Sequence, residues 1–284
     1  MAYTLRAVNQ YGDEIDLTGR RDMVLTRPDG FHPADAIINM DALALNDGAL
    51  FNSSRVGTRN IVLTVHFTEH PEQCRHEIYK VFKPKQAIRV YYKNNTRDVY
   101  IDGYVESVTV DLAAQLQNAQ ISILCPRPFF RDIKDGLTDF TVVTPLLEFP
   151  VEFPEEGIPF SEVASYAEKA VLNGGEVETG VLIEFSVVRG NVTRPQFYNT
   201  TTGEAFILDY SFIAGDSVQI CTLPGEKRAT LKRDGVTINL LNSIGIGSSW
   251  LRMTVGDNVF AYTADQGAEY IMARFIVTPL YEGV

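Results

Sequence analysis

A chain of 284 residues exceeds what one small core usually encloses, so two domains are expected. Hydrophobic residues at 45% and charged residues at 21% describe an ordinary globular protein, and no run of about 18 apolar residues is present to span a membrane. The net charge of −11 lies wholly after residue 131: residues 1–131 carry 15 basic and 15 acidic side chains, residues 132–284 carry 10 and 21, and no cationic run offers a nucleic-acid surface.

The opening MAYTLRAVNQYGDE has no basic flank and no apolar run, so no secretory signal is expected and a cytoplasm is the place of synthesis. Tyr3–Val8 and Glu14–Leu17 read as short strands around a turn at Asn9–Asp13. Residues 28–54 are rich in Pro, Gly, Asn, Asp and Ser, with turn signals at Pro28-Asp-Gly30 and Asp47-Gly48. They read as one long irregular loop, and a loop of that length in a compact domain usually serves a function. After Arg55-Val-Gly57-Thr-Arg59 comes a strand with Ile61, Leu63, Val65 and Phe67 on one face.

Pro71–Phe82 is the clearest helix, because Pro71 suits a first helical position and Cys74, Ile78, Val81 and Phe82 form one stripe. Strands follow at Ala87–Tyr92 and Val99–Val105, joined by a hairpin connection at Lys93–Arg97. Val108 and Val110 switch parity relative to Val99, Ile101 and Val105, which predicts a bulge near Glu106. Asn118–Phe130, NAQISILCPRPFF, closes the first domain. Ala119, Ile121, Ile123 and Cys125 point inward; Pro126 and Pro128 then stop the strand, and Phe129-Phe130 is expected to latch onto the next domain.

Residues 132–160 hold Pro145, Pro150, Pro154 and Pro159 and read as an extended connector, with a short helix at Ser161–Val171. From residue 181 short strands recur between turn signals: Val181–Val188, Phe206–Phe212, Ser217–Thr222, Arg228–Lys232, Val236–Leu240, Trp250–Val255, Asn258–Thr263 and Ile271–Thr278. The expected fold is therefore mainly β. An N-terminal β-sheet domain with one helix spans 1–131, a proline-rich connector spans 132–180, and a C-terminal β-sandwich of jelly-roll or galectin-like type spans 181–284.

No pattern for catalysis emerges. His66, His70, Glu72, Cys74 and His76 are close in sequence, but a strand, a turn and diverging helix positions do not converge on a metal, so helix capping and packing are expected. Cys74, Cys125 and Cys221 are odd in number and widely spaced, which predicts buried free thiols. Asp132, Asp135 and Asp139, and likewise Asp209, Asp216 and Asp257, read as turn formers beside glycines. Gly245-Ile-Gly247 lacks a third glycine and a βαβ setting, and no nucleophile-elbow, zincin or phosphate-loop motif occurs. No catalytic, cofactor or metal residue is assigned. Trp250, the lone tryptophan, offers a sugar-stacking platform or, more often for a sandwich, a core residue.

Several stretches together resemble a known family. FNSSRVGTRNIVLTVHF at Phe51–Phe67, the helix, and ILCPRPFF at Ile123–Phe130 look like the N-terminal domain of siphovirus-type distal tail proteins. VLNGGEVETGVLIEF at Val171–Phe185, FYNTTTGEAFILDY at Phe197–Tyr210 and SSWLRMTVGDNVFAYTAD at Ser248–Asp265 are similar to the C-terminal sandwich of that family in phages of Gram-positive hosts. The resemblance implies a non-enzymatic virion tail protein, assembled in the bacterial cytoplasm, that forms a homohexameric ring at the distal end of the tail. Its implied partners are the tail tube protein, a tail-tip or hub protein, and the receptor-binding baseplate proteins, with DNA only passing through the lumen and no membrane contact. Asp41, Asp47, Arg55 and Arg59 are then candidates for bridging neighbouring subunits. The alternative is a carbohydrate-binding module for adsorption, with Trp250 as its platform.

Overall fold

The computed structural model describes residues 3–43, 47–112, 116–145, 161–165 and 168–284. The chain forms two compact units, Met1–Ile133 with Leu280–Val284, and Lys134–Pro279.

The first unit contains β1 (Tyr3–Asn9), β2 (Glu14–Asp16), β3 (Met23–Asp29), β4 (Ala36–Ala42), β5 (Ala49–Val56), β6 (Arg59–Phe67), α1 (Pro71–Val81), β7 (Ala87–Asn94), β8 (Asp98–Val110), β9 (Asn118–Cys125) and β10 (Phe130–Asp132). Antiparallel pairing orders the main sheet β2-β1-β7-β8-β9-β6-β3. Alternation along each strand sends one set of side chains inward: Leu5 and Ala7, Ile61 to Phe67, Ile88 and Val90, Val99 and Ile101, Ala119 to Cys125. The parity switch in β8 is a register shift between Val105 and Ser107 against β9, as the sequence predicts. α1 buries Cys74, Ile78 and Val81 against this core, with Phe82 just beyond its end. His70 holds the residue before the helix in a left-handed conformation, φ 48°, but its side chain makes no capping hydrogen bond. The capping expected of this cluster is thus backbone geometry alone. Among the described residues, no group of three His, Cys, Asp or Glu converges as metal ligands would.

Phe130, half of the expected aromatic latch, belongs to the first unit. Phe130 is fully buried in the first unit's own core, its ring stacked on Phe31 at 5.8 Å. The reason is pairing: β10 returns to the sheet beside β8, so the prolines produce a corner and not an exit.

All three cysteines are free and buried. Burial pushes the Cys125 thiol up to about 12 and, with Asp22 nearby, the Cys74 thiol up to about 11. Neither supplies thiolate near neutral pH. Native protein is expected to leave a thiol reagent essentially unconsumed, and denatured, unreduced protein to consume three equivalents. Any smaller count after denaturation would reveal a cross-link.

The second unit contains β11 (Gly136–Asp139), β12 (Thr141–Pro145), β13 (Ser161–Ser165), β14 (Glu168–Asn173), β15 (Thr179–Gly180), β16 (Leu182–Val187), β17 (Asn191–Asn199), β18 (Glu204–Ile207), β19 (Ser211–Ile213), β20 (Ser217–Cys221), β21 (Arg228–Arg233), β22 (Val236–Asn239), β23 (Arg252–Met253), β24 (Gly256–Gln266) and β25 (Ile271–Val277). One sheet runs β11-β25-β16-β20-β21-β22; the facing one runs β14-β24-β17-β18, with β19 also on β17. Both contribute to one core dense in phenylalanine, where Phe140 lies 4.3 Å from Phe275 and Phe185 lies 5.3 Å from Phe197. This is a β-sandwich.

The short helix expected at Ser161–Val171 is not formed. Ser161–Ser165 pairs with β12 and Glu168–Asn173 pairs with β24, so residues of fair helix propensity are recruited to sheet edges. Much of the expected connector therefore belongs to the sandwich unit; its prolines at 150, 154 and 159 lie outside the described residues. The chain then returns: β26 (Leu280–Tyr281) pairs with β10 in the first unit. There Arg97 lies 3.8 Å over the Tyr281 ring, and the Tyr281 hydroxyl donates to Asp132 at 2.9 Å.

Candidate assembly surface

Ala36–Ala42 and Ala49–Val56 are strands, not an irregular loop. β4 and β5 form a two-stranded hairpin of their own, and every residue in both strands is exposed. An isolated two-stranded hairpin is marginal in water unless something covers it. Its register sorts the side chains. Ala36 faces Val56, Ile38 faces Ser54, Met40 faces Phe51 and Ala42 faces Ala49, so these eight share one face. Ile37 with Arg55, Asn39 with Ser53, and Asp41 with Leu50 share the other. A register shift between Asn39 and Met40, with Asn52 the extra residue, keeps the two sets apart.

The second face is internally satisfied: Asn39 donates to Ser53 at 2.9 Å and Asn52 donates to Asp41 at 2.7 Å. The first face is apolar except for Ser54, and Ile38, Met40 and Phe51 are 53%, 60% and 65% exposed. Fully covering side chains of this size is worth about 1.5–3 kcal/mol each. A contiguous exposed apolar face of this kind marks an interaction site.

Asp41, Asp47 and Arg55, three of the predicted bridging residues, lie exposed on this hairpin or its turn. Arg59 does not. It is 3% exposed, and its guanidinium donates to the carbonyl oxygens of Gly30, His32, Pro128 (2.6 Å) and Glu282 while lying 4.7 Å over the Phe130 ring. Burial lowers its proton affinity, but an arginine stays charged in a protein. Five donors in a rigid fork suit a node where four strands of chain meet, and this one fixes the hairpin's root. The Gly57 N–H, donating to Asp35 at 3.1 Å, completes that root.

Two family models match the chain. The phage tail protein RIFT-related domain matches residues 26–125, and the siphovirus-type tail component C-terminal domain matches residues 174–275. This chain is a siphovirus-type tail component.

The fold of the tail component is that of solved tail-hub structures. It is similar to SPP1 Dit (gp 19.1), described as a paradigm of the hub adsorption apparatus in phages infecting Gram-positive bacteria, with a TM-score of 0.67, 14% identity and 99% of both chains covered. It is also similar to a chain of the phage P2 baseplate in its activated conformation, with calcium (TM-score 0.53, 10% identity) and with strontium (TM-score 0.52, 9% identity), over 100% of both chains in each case. No curated protein matches the sequence.

In the tail component's sandwich, Trp250 lies just before β23 and not within a strand. Its ring packs 5.1 Å from Phe206 at the core's margin, half-buried, with the Lys227 ammonium 5.4 Å over it. Three of the aspartates grouped in the sequence are engaged separately. Asp209 pairs with Arg194 at 2.6 Å, buried Asp216 pairs with Arg233 at 2.6 Å, and Asp139 pairs with Arg274 at 2.7 Å. The side chain of Arg233 holds Asp216 below the usual carboxylate range. These are structural pairs. The uncovered hairpin gave no in-and-out burial pattern for sequence reading to detect; its one signal was the Asp47-Gly48 turn between two apolar clusters.

Proposed function

We propose that this tail component closes into a homohexameric ring at the distal end of the tail. The ring joins the tail tube to the tail-tip or hub protein and carries the receptor-binding baseplate proteins, with DNA passing through its lumen. Assembly takes place in the host cytoplasm, and the role is architectural, with no catalytic step. The observation that carries this reading is the apolar face of the β4–β5 hairpin, which a neighbouring copy would cover in a repeated head-to-tail contact. The likeness in fold to a hub protein and to a baseplate chain supports it. The placement of Trp250 against Phe206 does not favour a glycan platform.

Light scattering on the full chain tests the reading. Removing residues 132–284 is a poor alternative, because it also takes β26 away from β10. Wild-type protein is expected at the mass of six copies. Phe51→Asp is expected to be monomeric, with an unchanged circular dichroism spectrum and melting temperature, since Phe51 makes no contribution to the unit's own core. A Phe51→Asp protein that assembles like wild type, or a closed wild-type assembly of another copy number, would sink the proposal.

A further inference from the structure

A ring closed head to tail uses two different patches on each chain, a donor and an acceptor. The hairpin is the donor, and an acceptor must lie elsewhere on the same surface. The outward face of the main sheet differs in composition from the polar face usual for an antiparallel sheet. Across β1, β7 and β8, Arg6 stands opposite Tyr91 and Tyr91 opposite Tyr100; one rung along, Val8 stands opposite Arg89 and Arg89 opposite Asp102. Tyr104 is 52% exposed beside Ala87. Tyrosine and arginine are the residues that concentrate binding energy at interfaces.

This face is also concave. An open hollow of about 550 Å³ lies between Tyr91 and Tyr104, floored by Val8 and Ala87 and flanked by Arg89 and Asp102. That volume falls in the range that holds a drug-sized molecule, which is room for more than one large side chain. Its charges are already matched: Arg89 donates to Asp102 at 2.6 Å while lying 4.2 Å over the Tyr100 ring. An apolar guest would therefore bury no unpaired charge, and the walls need little reordering.

The hairpin cannot be the guest of its own hollow as the chain stands, since its apolar face is open to solvent. It leaves the sheet between β3 and β6, whereas the hollow lies over β1, β7 and β8, with β9 intervening. At about 4.8 Å per strand that offset exceeds roughly 10 Å. Donor and acceptor are thus two separate patches of one unit, as a head-to-tail ring requires.

We propose that the hollow between Tyr91 and Tyr104 receives the hairpin of a second copy of this chain, with Phe51 and Met40 as the inserted side chains. This rests on the ring reading and names the surface that completes it.

Disulfide trapping tests the pairing separately from the ring. The full chain carrying Phe51→Cys together with Tyr104→Cys is oxidised mildly and run on a non-reducing gel, with each single variant as control. The native thiols are buried and stay silent. The double variant is expected to give a ladder up to six copies that collapses on reduction, and the singles none beyond trace dimer. Met40→Cys with Tyr91→Cys provides a second pair should the first distort the site. Trapping captures transient encounters, so a ladder is expected even where rings are short-lived. No ladder from either pair, in protein whose native mass is that of a ring, would overturn the pairing and leave the ring standing. No ladder and no ring would overturn both. A ladder from protein whose closed assembly is not six copies would uphold the pairing and overturn only the count.

Discussion

Replacing Arg59 by alanine is expected to destabilise the first unit by about 3–5 kcal/mol, because several carbonyl groups lose a charged donor at once and each such hydrogen bond is worth about 1.5–3 kcal/mol. The carbonyl groups of Gly30, His32, Pro128 and Glu282 would lose their shared donor at once, and Phe130 would lose the cation over its ring. The unit's own thiols give a suitable probe. Cys74 and Cys125 lie in the first unit, whereas Cys221 and Trp250 lie in the second. In urea, Arg59→Ala should therefore expose two thiols at a much lower midpoint than wild type while tryptophan fluorescence changes where it did before. Arg59→Lys keeps the charge but loses the fork, and should fall between the two. An unshifted midpoint for the first two thiols would show that the node is dispensable.

Gly30→Ala is expected to be costlier still, above about 4 kcal/mol, which is exceptional for a single methyl group. Gly30 sits at φ 83°, and a β-carbon there would fall onto the carbonyl oxygen of Asn60 and within 3.0 Å of the Ile61 α-carbon. Both neighbours are backbone of β6 and cannot rotate away. Gly12→Ala makes the control, because φ is 86° there but nothing lies within 4 Å. Its cost should be only the left-handed penalty, about 1–2 kcal/mol. The contrast is read as the yield of folded protein and the urea midpoint. Equal effects at the two glycines would remove the steric argument and leave only backbone strain.

Inward-facing periodicity was the part of the fold most legible in the sequence. Ala119 to Cys125 and Ile61 to Phe67 alternate because one side of the sheet meets the core, and the bulge in β8 shows as a change of parity. Where burial does not alternate, the signal fails. β4 and β5 are exposed on both faces, so Phe51-Asn-Ser-Ser-Arg55 reads as loop although it is strand. β17 was missed for a different reason: Pro195 stands in a strand flanked on both sides, a place proline normally avoids. The structure accommodates it with Arg194 at φ 51° and its N–H turned to Tyr210, so the ladder skips a residue. Of the candidate site, the region was legible and one residue was not. Arg55 and Arg59 are four positions apart and chemically alike, yet one faces solvent and the other is enclosed, because Arg59 begins the strand that Gly30 crosses closely.

The return of Leu280–Val284 to the first unit changes how the chain can be re-engineered. Residues 134–279 are bounded by two segments, β10 and β26, that are hydrogen-bonded to each other, Phe130 to Tyr281 and Arg131 to Leu280. The sandwich is thus an insert whose entry and exit points are held side by side, as in a cassette. A foreign domain with neighbouring ends could be grafted between those points without asking the first unit to find a new partner for its edge. Conversely, a fluorescent label fused after Val284 would sit on the sheet domain. Any distance measured from it would report on the sheet domain, not on the sandwich that immediately precedes it in the sequence.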